Sequence, residues 1–86
     1  MSYRVRWRRK AKQALAAVWL AASDRNEVTA AAHRIEALLR RDPLSAGESR
    51  GGNFRVVFDG PIGVFYQVRP QAGEVRVITV GPAGRP

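Results

Sequence analysis

Several residue types that build functional sites are missing or scarce in this 86-residue chain. It has no cysteine, which excludes disulfides, thiolate metal ligands and a cysteine nucleophile, and which fits a reducing compartment such as the cytoplasm. Its only histidine is His33, so one chain cannot build a multi-histidine metal centre. No apolar run approaches the ~18 residues that a membrane span needs. We therefore expect no metal, no cofactor and no membrane partner.

Acidic residues are also scarce, at 7 against 15 basic residues, which gives a net charge of +8. Much of this excess is local, because the first twelve residues contain no acid and carry Arg4, Arg6, Arg8, Arg9, Lys10 and Lys12. A positive field of this kind favours nucleic acid or an acidic protein as the partner.

The first half of the chain predicts one strand followed by two helices. Residues 3–8 alternate apolar side chains with arginines, which is typical of a strand with one buried face. From Arg9 the apolar residues follow helical spacing. Asp24 and Glu27 then mark the start of a second helix, which Pro43 ends. The short polar break between the helices predicts an antiparallel hairpin.

The second half predicts strands. After a loop over residues 43–53, β-like runs at 54–58, 63–69 and 75–80 are separated by turn residues. The order β-α-α-β-β-β predicts an α+β fold with a helical hairpin packed on a mostly antiparallel four-stranded sheet. We expect a single domain over residues 1–80 and a tail over 81–86. The aromatic residues Tyr3, Trp7, Phe54 and Phe58 are expected on buried faces.

The sequences of these segments resemble those of the RelE/ParE superfamily. The residues that carry the resemblance are the opening strand over 3–7, the Ala-rich helix with Trp19, the Gly-rich segment 47–52 and the strands at 54–58, 63–68 and 75–80. The resemblance implies a growth-inhibiting toxin of a type II toxin–antitoxin system, a group that includes plasmid stabilisation proteins. It also implies a cognate antitoxin that wraps the sheet and helices.

Two activities divide that superfamily. RelE-like members are ribosome-dependent endoribonucleases that cut mRNA, and ParE-like members act on DNA gyrase without chemistry of their own. By this resemblance, three basic positions of the RelE-like nucleases correspond to Arg55, Val57 and Gly63 of this chain. Only Arg55 is basic. After the last strand only Arg85 remains. The catalytic candidates that the resemblance leaves are Arg50, Arg55, Arg76, Arg85 and Tyr66.

The chemistry of these candidates favours a binding protein over an enzyme. RNA cleavage needs a proton acceptor and a proton donor, and arginine is a poor proton shuttle because its guanidinium stays protonated at physiological pH. Tyr66 shares a strand face with Val64 and Val68, and His33 adjoins an apolar helix stripe, so both are expected to be structural. We therefore predict a ParE-like toxin that acts by binding, with DNA gyrase as a candidate target. A RelE-like mRNA endoribonuclease is the alternative, and a non-toxic basic nucleic-acid-binding module is the second alternative.

The expected binding surface is the side of the sheet opposite the helices. The residues predicted to line it are Arg4, Arg6, Arg8, Arg55 and Arg76. Two simpler interpretations stay open, because an arginine row can protect an edge strand from aggregation and Arg55 can be an ordinary solvated strand position. An exposed sheet edge also offers a route to homodimerisation.

Overall fold

The computed structural model describes residues 2–83 of the chain. The helical hairpin predicted from the sequence is present. Helix α1 spans Arg9–Ala21 and helix α2 spans Arg25–Arg41. Asp24 caps α2, since its Oδ1 accepts a 3.1 Å hydrogen bond from the backbone N–H of Glu27. Among the described residues, no helix combines the length and apolar character that a membrane crossing requires.

The sheet has five strands, one more than predicted. They are β1 (Arg4–Trp7), β2 (Glu48–Ser49), β3 (Phe54–Asp59), β4 (Ile62–Arg69) and β5 (Glu74–Pro82), in the spatial order β1-β5-β4-β3-β2. Strands β2 to β5 pair antiparallel where they are neighbours, whereas β1 pairs parallel to β5. The sheet is therefore mixed but mostly antiparallel, as expected for this α+β fold.

Two short elements lie in the segment 43–53 that was predicted to be a loop. Helix α3 is a single turn over Pro43–Ala46, and the two-residue strand β2 follows it. Both are too short to leave a periodic pattern in the sequence. The tail prediction also needs correction, because β5 includes Gly81 and Pro82 and pairs them with Gly63 and Ile62.

The core lies between the helical hairpin and one face of the sheet, which we call the closed face. Helix α2 contributes a fully buried stripe, and β4 and β5 contribute the opposing side chains. The fully or nearly fully buried apolar residues are Ala11, Val28, Ala31, Ala32, Ile35, Leu39, Val57, Ile62, Val64, Tyr66, Val68, Val75, Val77 and Val80. Tyr3, Val5 and Trp7 pack against this cluster, as predicted.

An ion-pair network holds the β3–β4 turn against α2. Arg34 donates two hydrogen bonds to the carboxylate of Asp59, at 2.9 and 2.8 Å, and one of 3.1 Å to Glu27. The Arg34 guanidinium holds the pKa of Asp59 below its ordinary value, although partial burial opposes this shift. The turn itself depends on Gly60, whose φ of 53° suits glycine.

Candidate functional site

The sheet face opposite the helices has no covering element among residues 2–83, and we call it the open face. Residues that pair across neighbouring strands share a face, so the strand register identifies its side chains. They are Arg4 and Arg6 on β1; Glu74, Arg76, Thr79 and Gly81 on β5; Gly63, Phe65, Gln67 and Arg69 on β4; Phe54, Val56 and Phe58 on β3; and Glu48 on β2.

One end of the open face carries an arginine cluster, which consists of Arg6, Arg69 and Arg76 around Glu74. Arg6 Nε lies 2.9 Å from Glu74 Oε2, and Arg76 Nε and Arg69 Nη1 lie 3.1 and 3.4 Å from Oε1. Glu74 is only 7% exposed, whereas the Arg6 side chain is 68% exposed. One buried carboxylate thus faces three guanidinium groups, and the cluster keeps a net positive charge.

The arginines keep Glu74 ionised despite its burial. Desolvation favours the neutral acid, but the hydrogen bond from Arg76 and the positive charges of Arg76, Arg6 and Arg69 outweigh it, so the pKa of Glu74 lies below its ordinary value. The cluster therefore contains a resident anion that the arginines already bind.

The other end of the open face is aromatic. The rings of Phe54 and Phe65 stack with centroids 5.6 Å apart and planes 4° from parallel. Phe58 is 55% exposed, and its ring lies over Gly63 so closely that a Cβ there would be 2.7 Å from Phe58 Cε1. We call Phe54, Val56, Phe58 and Phe65 the aromatic patch. A depression of about 200 Å³ adjoins it, lined by Val56, Phe58, Gly63, Phe65, Thr79, Gly81 and Pro82.

The prediction that Phe54 and Phe58 are buried is therefore wrong. Strand β3 carries Phe54, Val56 and Phe58 on one side and Arg55, Val57 and Asp59 on the other. Val57 is the residue that enters the core, where it pairs with Val64. On the same side, Arg55 donates a hydrogen bond to the carbonyl of Gly47, and Asp59 accepts hydrogen bonds from Arg34. Phe54, Val56 and Phe58 therefore face outward although they are apolar.

Arg55 lies on the closed face, which corrects its predicted place beside Arg76. It shares a cross-strand row with Tyr66, Val77 and Trp7. Its Nη2 donates a short hydrogen bond to the carbonyl of Gly47, and its buried Nε has no hydrogen-bond partner among the described residues. Arg55 therefore holds the segment between α3 and β2 and does not contribute to the open face.

Tyr66 lies in the core next to Arg55. Its ring is fully buried, and its hydroxyl donates a 2.8 Å hydrogen bond to the carbonyl of Pro43. Burial raises the pKa of Tyr66 above its ordinary value, and the nearby Arg55 opposes that rise only in part. The phenol is thus neutral at physiological pH and engaged with the backbone, as expected for a structural tyrosine.

The other candidates occupy separate places. Arg50 follows β2 and pairs with Glu48 at 3.4 Å, at the far edge of the sheet from β1. Arg8 sits exposed at the start of α1, and His33 is exposed on α2. Arg85 lies outside the described residues. Arg50, Arg55 and Arg76 therefore do not converge on one patch.

A second apolar surface lies between the two long helices. A groove of about 460 Å³ is lined mainly by Trp7, Leu15, Trp19, Val28 and Ala32, with His33 at its rim. Trp7 Nε1 donates a 2.7 Å hydrogen bond to Glu36, and the Arg25 guanidinium lies 4.8 Å from the centre of the Trp19 ring system. Among residues 2–83, no group of three or more histidine, aspartate or glutamate side chains is placed to hold a metal ion.

Comparison with known proteins identifies the fold. The sequence matches no protein-family model and no curated protein. A chain of the RelBE2 toxin–antitoxin complex from Mycobacterium tuberculosis is similar in structure, with a TM-score of 0.77 and 19% identity over 95% of this chain and 99% of that chain. A chain of the chromosomal ParDE toxin–antitoxin system from P. aeruginosa is similar as well, with a TM-score of 0.69 and 16% identity over 96% of this chain and 98% of that chain.

The isolated RelE toxin from E. coli is also similar, with a TM-score of 0.66 and 20% identity over 99% of this chain and 88% of that chain. At these identities the likeness is one of fold. The chain has the α+β fold of RelE and ParE toxin structures, as its sequence predicted.

Proposed function

We propose that this protein is the toxin of a type II toxin–antitoxin system, that it acts in the cytoplasm by binding its target in the ParE manner, and that a cognate antitoxin neutralises it. DNA gyrase is the candidate target. The proposal is supported by the likeness in fold to RelE and ParE toxins over nearly the whole chain. The observation that carries it is the open face, which combines an arginine cluster with exposed aromatic rings, and whose buried carboxylate, Glu74, is already paired with three guanidinium groups.

The separation of the catalytic candidates favours binding over RNA cleavage. A nuclease that uses the 2′-hydroxyl needs an acid and a base close to one phosphate. Tyr66 is the strongest candidate acid, but its hydroxyl is buried on the closed face and bonded to Pro43. Arg55 and Arg76 lie on opposite faces of the sheet. The positions corresponding to further basic groups in RelE-like enzymes are Val57, which is in the core, and Gly63, which lies under the Phe58 ring.

A RelE-like mRNA endoribonuclease is the second candidate, and one observation favours it. Arg6, Arg69 and Arg76 form a cationic surface of the kind that can hold an RNA phosphate. In this candidate the arginines stabilise charge, and the proton transfers depend on groups supplied by the ribosome or by the RNA.

Induction of the gene alone in a bacterial host tests the proposal. We expect growth to stop after induction, and gyrase supercoiling by extracts or by purified gyrase to fall when the protein is added. Combined Phe58→Asp and Arg76→Glu changes on the open face should restore growth. Lys10→Glu, an exposed charge reversal on α1, is the control and should leave the arrest intact. Unaffected growth with soluble, folded protein in the cell would contradict the toxin proposal.

Two further measurements separate the alternatives. Primer extension on translated messages after induction should find them intact; cuts within codons would instead favour the RelE-like activity. If the chain is a harmless basic module, growth continues and nucleic-acid affinity falls steeply with salt, as counterion release requires.

A further inference from the structure

A polar depression lies at the end of the sheet where β4 finishes, apart from the aromatic patch. Its volume is about 450 Å³, which is within the roughly 300–1,000 Å³ typical of small-molecule sites. It is lined by Asn53, Gln67, Arg69, Pro70, Gln71 and Ala72, and we call it the amide pocket. Three side-chain amides and one guanidinium line it, so it suits a polar ligand, in contrast to the depression beside the aromatic patch.

Backbone hydrogen bonds hold the walls of the amide pocket in place. The carbonyl of Asn53 accepts a 2.9 Å hydrogen bond from the N–H of Val68, which fixes Asn53 beside the last residues of β4. On the opposite side, residues 70–72 form one turn of 3₁₀ helix, which is closed by a 3.1 Å hydrogen bond from the N–H of Gly73 to the carbonyl of Pro70. The pocket is therefore formed before a ligand arrives, which lowers the cost of binding.

The side-chain amides of Asn53 and Gln67 are available to a ligand. Gln67 is half-buried and Asn53 is exposed, and neither amide has a hydrogen-bond partner among residues 2–83. A carboxamide presents a donor and an acceptor side by side. Adenine offers the matching pair at its N6 amino group and N7, whereas guanine offers two acceptors there, which suit arginine. Pro70 and Ala72 add an apolar wall for the flat base.

The guanidinium of Arg69 is placed to hold a phosphate. Its Nη1 lies 3.4 Å from Glu74 Oε1, an oxygen that lies closer to Arg76 Nε, at 3.1 Å. The Arg69 side chain is 43% exposed, so its other N–H groups can turn toward a ligand. With Glu74 included, the arginine cluster keeps two positive charges, because three guanidinium groups face one carboxylate. A phosphate monoester carries about −1.5 to −2 at neutral pH and so matches this charge.

We propose that the amide pocket binds an adenine mononucleotide, with the base paired to the amides of Asn53 and Gln67 and the phosphate held by Arg69. Gln67 and Arg69 are two positions apart on one face of β4, which separates them by about 7 Å. This separation suits the base and the phosphate of a single nucleotide. A longer RNA would have to pass Glu74, whose negative charge repels each further phosphate. The inference goes beyond the proposed function and does not depend on it.

Isothermal titration calorimetry of the whole chain with adenosine 5′-monophosphate (AMP) tests the inference. We expect one site with a dissociation constant below about 1 mM. Adenosine lacks the phosphate and should bind about tenfold more weakly. Guanosine 5′-monophosphate should bind at least about fivefold more weakly than AMP, because its base cannot pair with an amide at the same edge.

Two variants assign the two halves of the ligand. Gln67→Leu keeps the bulk of the side chain but removes the amide, so it should weaken the binding of AMP and of adenosine by about fivefold. Arg69→Gln should weaken AMP about tenfold and leave adenosine unchanged, so that the two ligands bind alike. Lys10→Gln removes the same charge from α1 and is the matched control, which should bind AMP as the unaltered chain does. Circular dichroism confirms that each variant is folded.

The inference is overturned if the unaltered chain does not bind AMP in this range, or if guanosine 5′-monophosphate or inorganic phosphate binds as tightly as AMP. It is also overturned if a single-stranded oligoadenylate RNA binds more tightly than AMP, because the pocket then belongs to an RNA-binding surface. Equal losses of AMP affinity in Arg69→Gln and Lys10→Gln would show that only the overall charge of the protein matters.

Discussion

The two faces of the sheet are made by the same strands but differ in the side chains that they carry and in how far those side chains are buried. On the closed face, Val57, Val64 and Val77 are buried in the core, and the Tyr66 hydroxyl and the Arg55 Nη2 group donate hydrogen bonds to backbone carbonyls. On the open face, large rings and long cationic side chains remain in water. The contrast indicates that the closed face supplies stability, and the open face is the surface that we propose for recognition. It also shows that an apolar residue in a strand of a small domain need not be a core residue.

The contrast between the two faces would be contradicted most clearly if both faces contributed equally to the free energy of unfolding. Ile35 is fully buried against the sheet, so Ile35→Ala should reduce the free energy of unfolding by about 2–5 kcal/mol. Phe58→Ala removes a larger but half-exposed side chain and should cost less than about 1 kcal/mol. Urea unfolding followed by circular dichroism measures both. A loss at Phe58 as large as that at Ile35 would mean that the open face is part of the core.

Alanine substitutions at two glycines compare the two faces again, with smaller expected changes in the free energy of unfolding. A Cβ on Gly47 would lie 2.2 Å from the backbone carbonyl oxygen of Val56, so Gly47→Ala must separate β2 from β3 and should cost about 1–3 kcal/mol. A Cβ on Gly63 meets only the ring of Phe58, which can swing into solvent. Gly63→Ala should therefore change the unfolding free energy by less than about 1 kcal/mol. Equal melting temperatures for the two variants would contradict the conclusion that the closed face supplies most of the stability.

The smallest expected effect is the pH dependence of the stability that the Arg34–Asp59 ion pair provides. The pKa of Asp59 is lowered in the folded chain by Arg34, so this ion pair stabilises the protein above the unfolded value of about 3.9 and stops doing so as the pH falls through the folded value. Asp59→Asn should lower the melting temperature at pH 7, and the difference from the unaltered chain should shrink as the pH falls below about 4. A difference that stays constant down to pH 2 would show that Asp59 acts through its shape and not through its charge.

The sequence was sufficient for the fold because its strongest signals are local and repeated. The apolar stripe of α2, the Asp24 cap and the turn residues after β3 and β4 each specify an element without reference to the rest of the chain. The short α3 and β2 could not be predicted, since four and two residues contain no full period. The position of β1 beside β5 depends on packing of the whole domain.

The site was harder to predict than the fold because the more apolar side of β3 is the side that faces away from the helices. Only the pairing of Val57 with Val64 decides which side faces the helices, and that choice moves Arg55 inward and Phe54 and Phe58 outward. A usable signal was present in the two glycines, Gly63 and Gly81, because strand positions without side chains often mark a close approach. The association of Arg6 with Arg76 required the register of β1 on β5.

The parallel pairing of β1 with β5 has a consequence for the order in which the protein becomes complete. Arg4 pairs with Glu74 and Trp7 with Val77, so the first strand to be synthesised has no neighbour until the last strand has left the ribosome. A chain that still lacks β5 therefore has no arginine cluster and no strand beside β1. The aromatic patch lies on β3 and β4 and does not depend on β5 in this way, so the two ends of the open face form at different stages of synthesis.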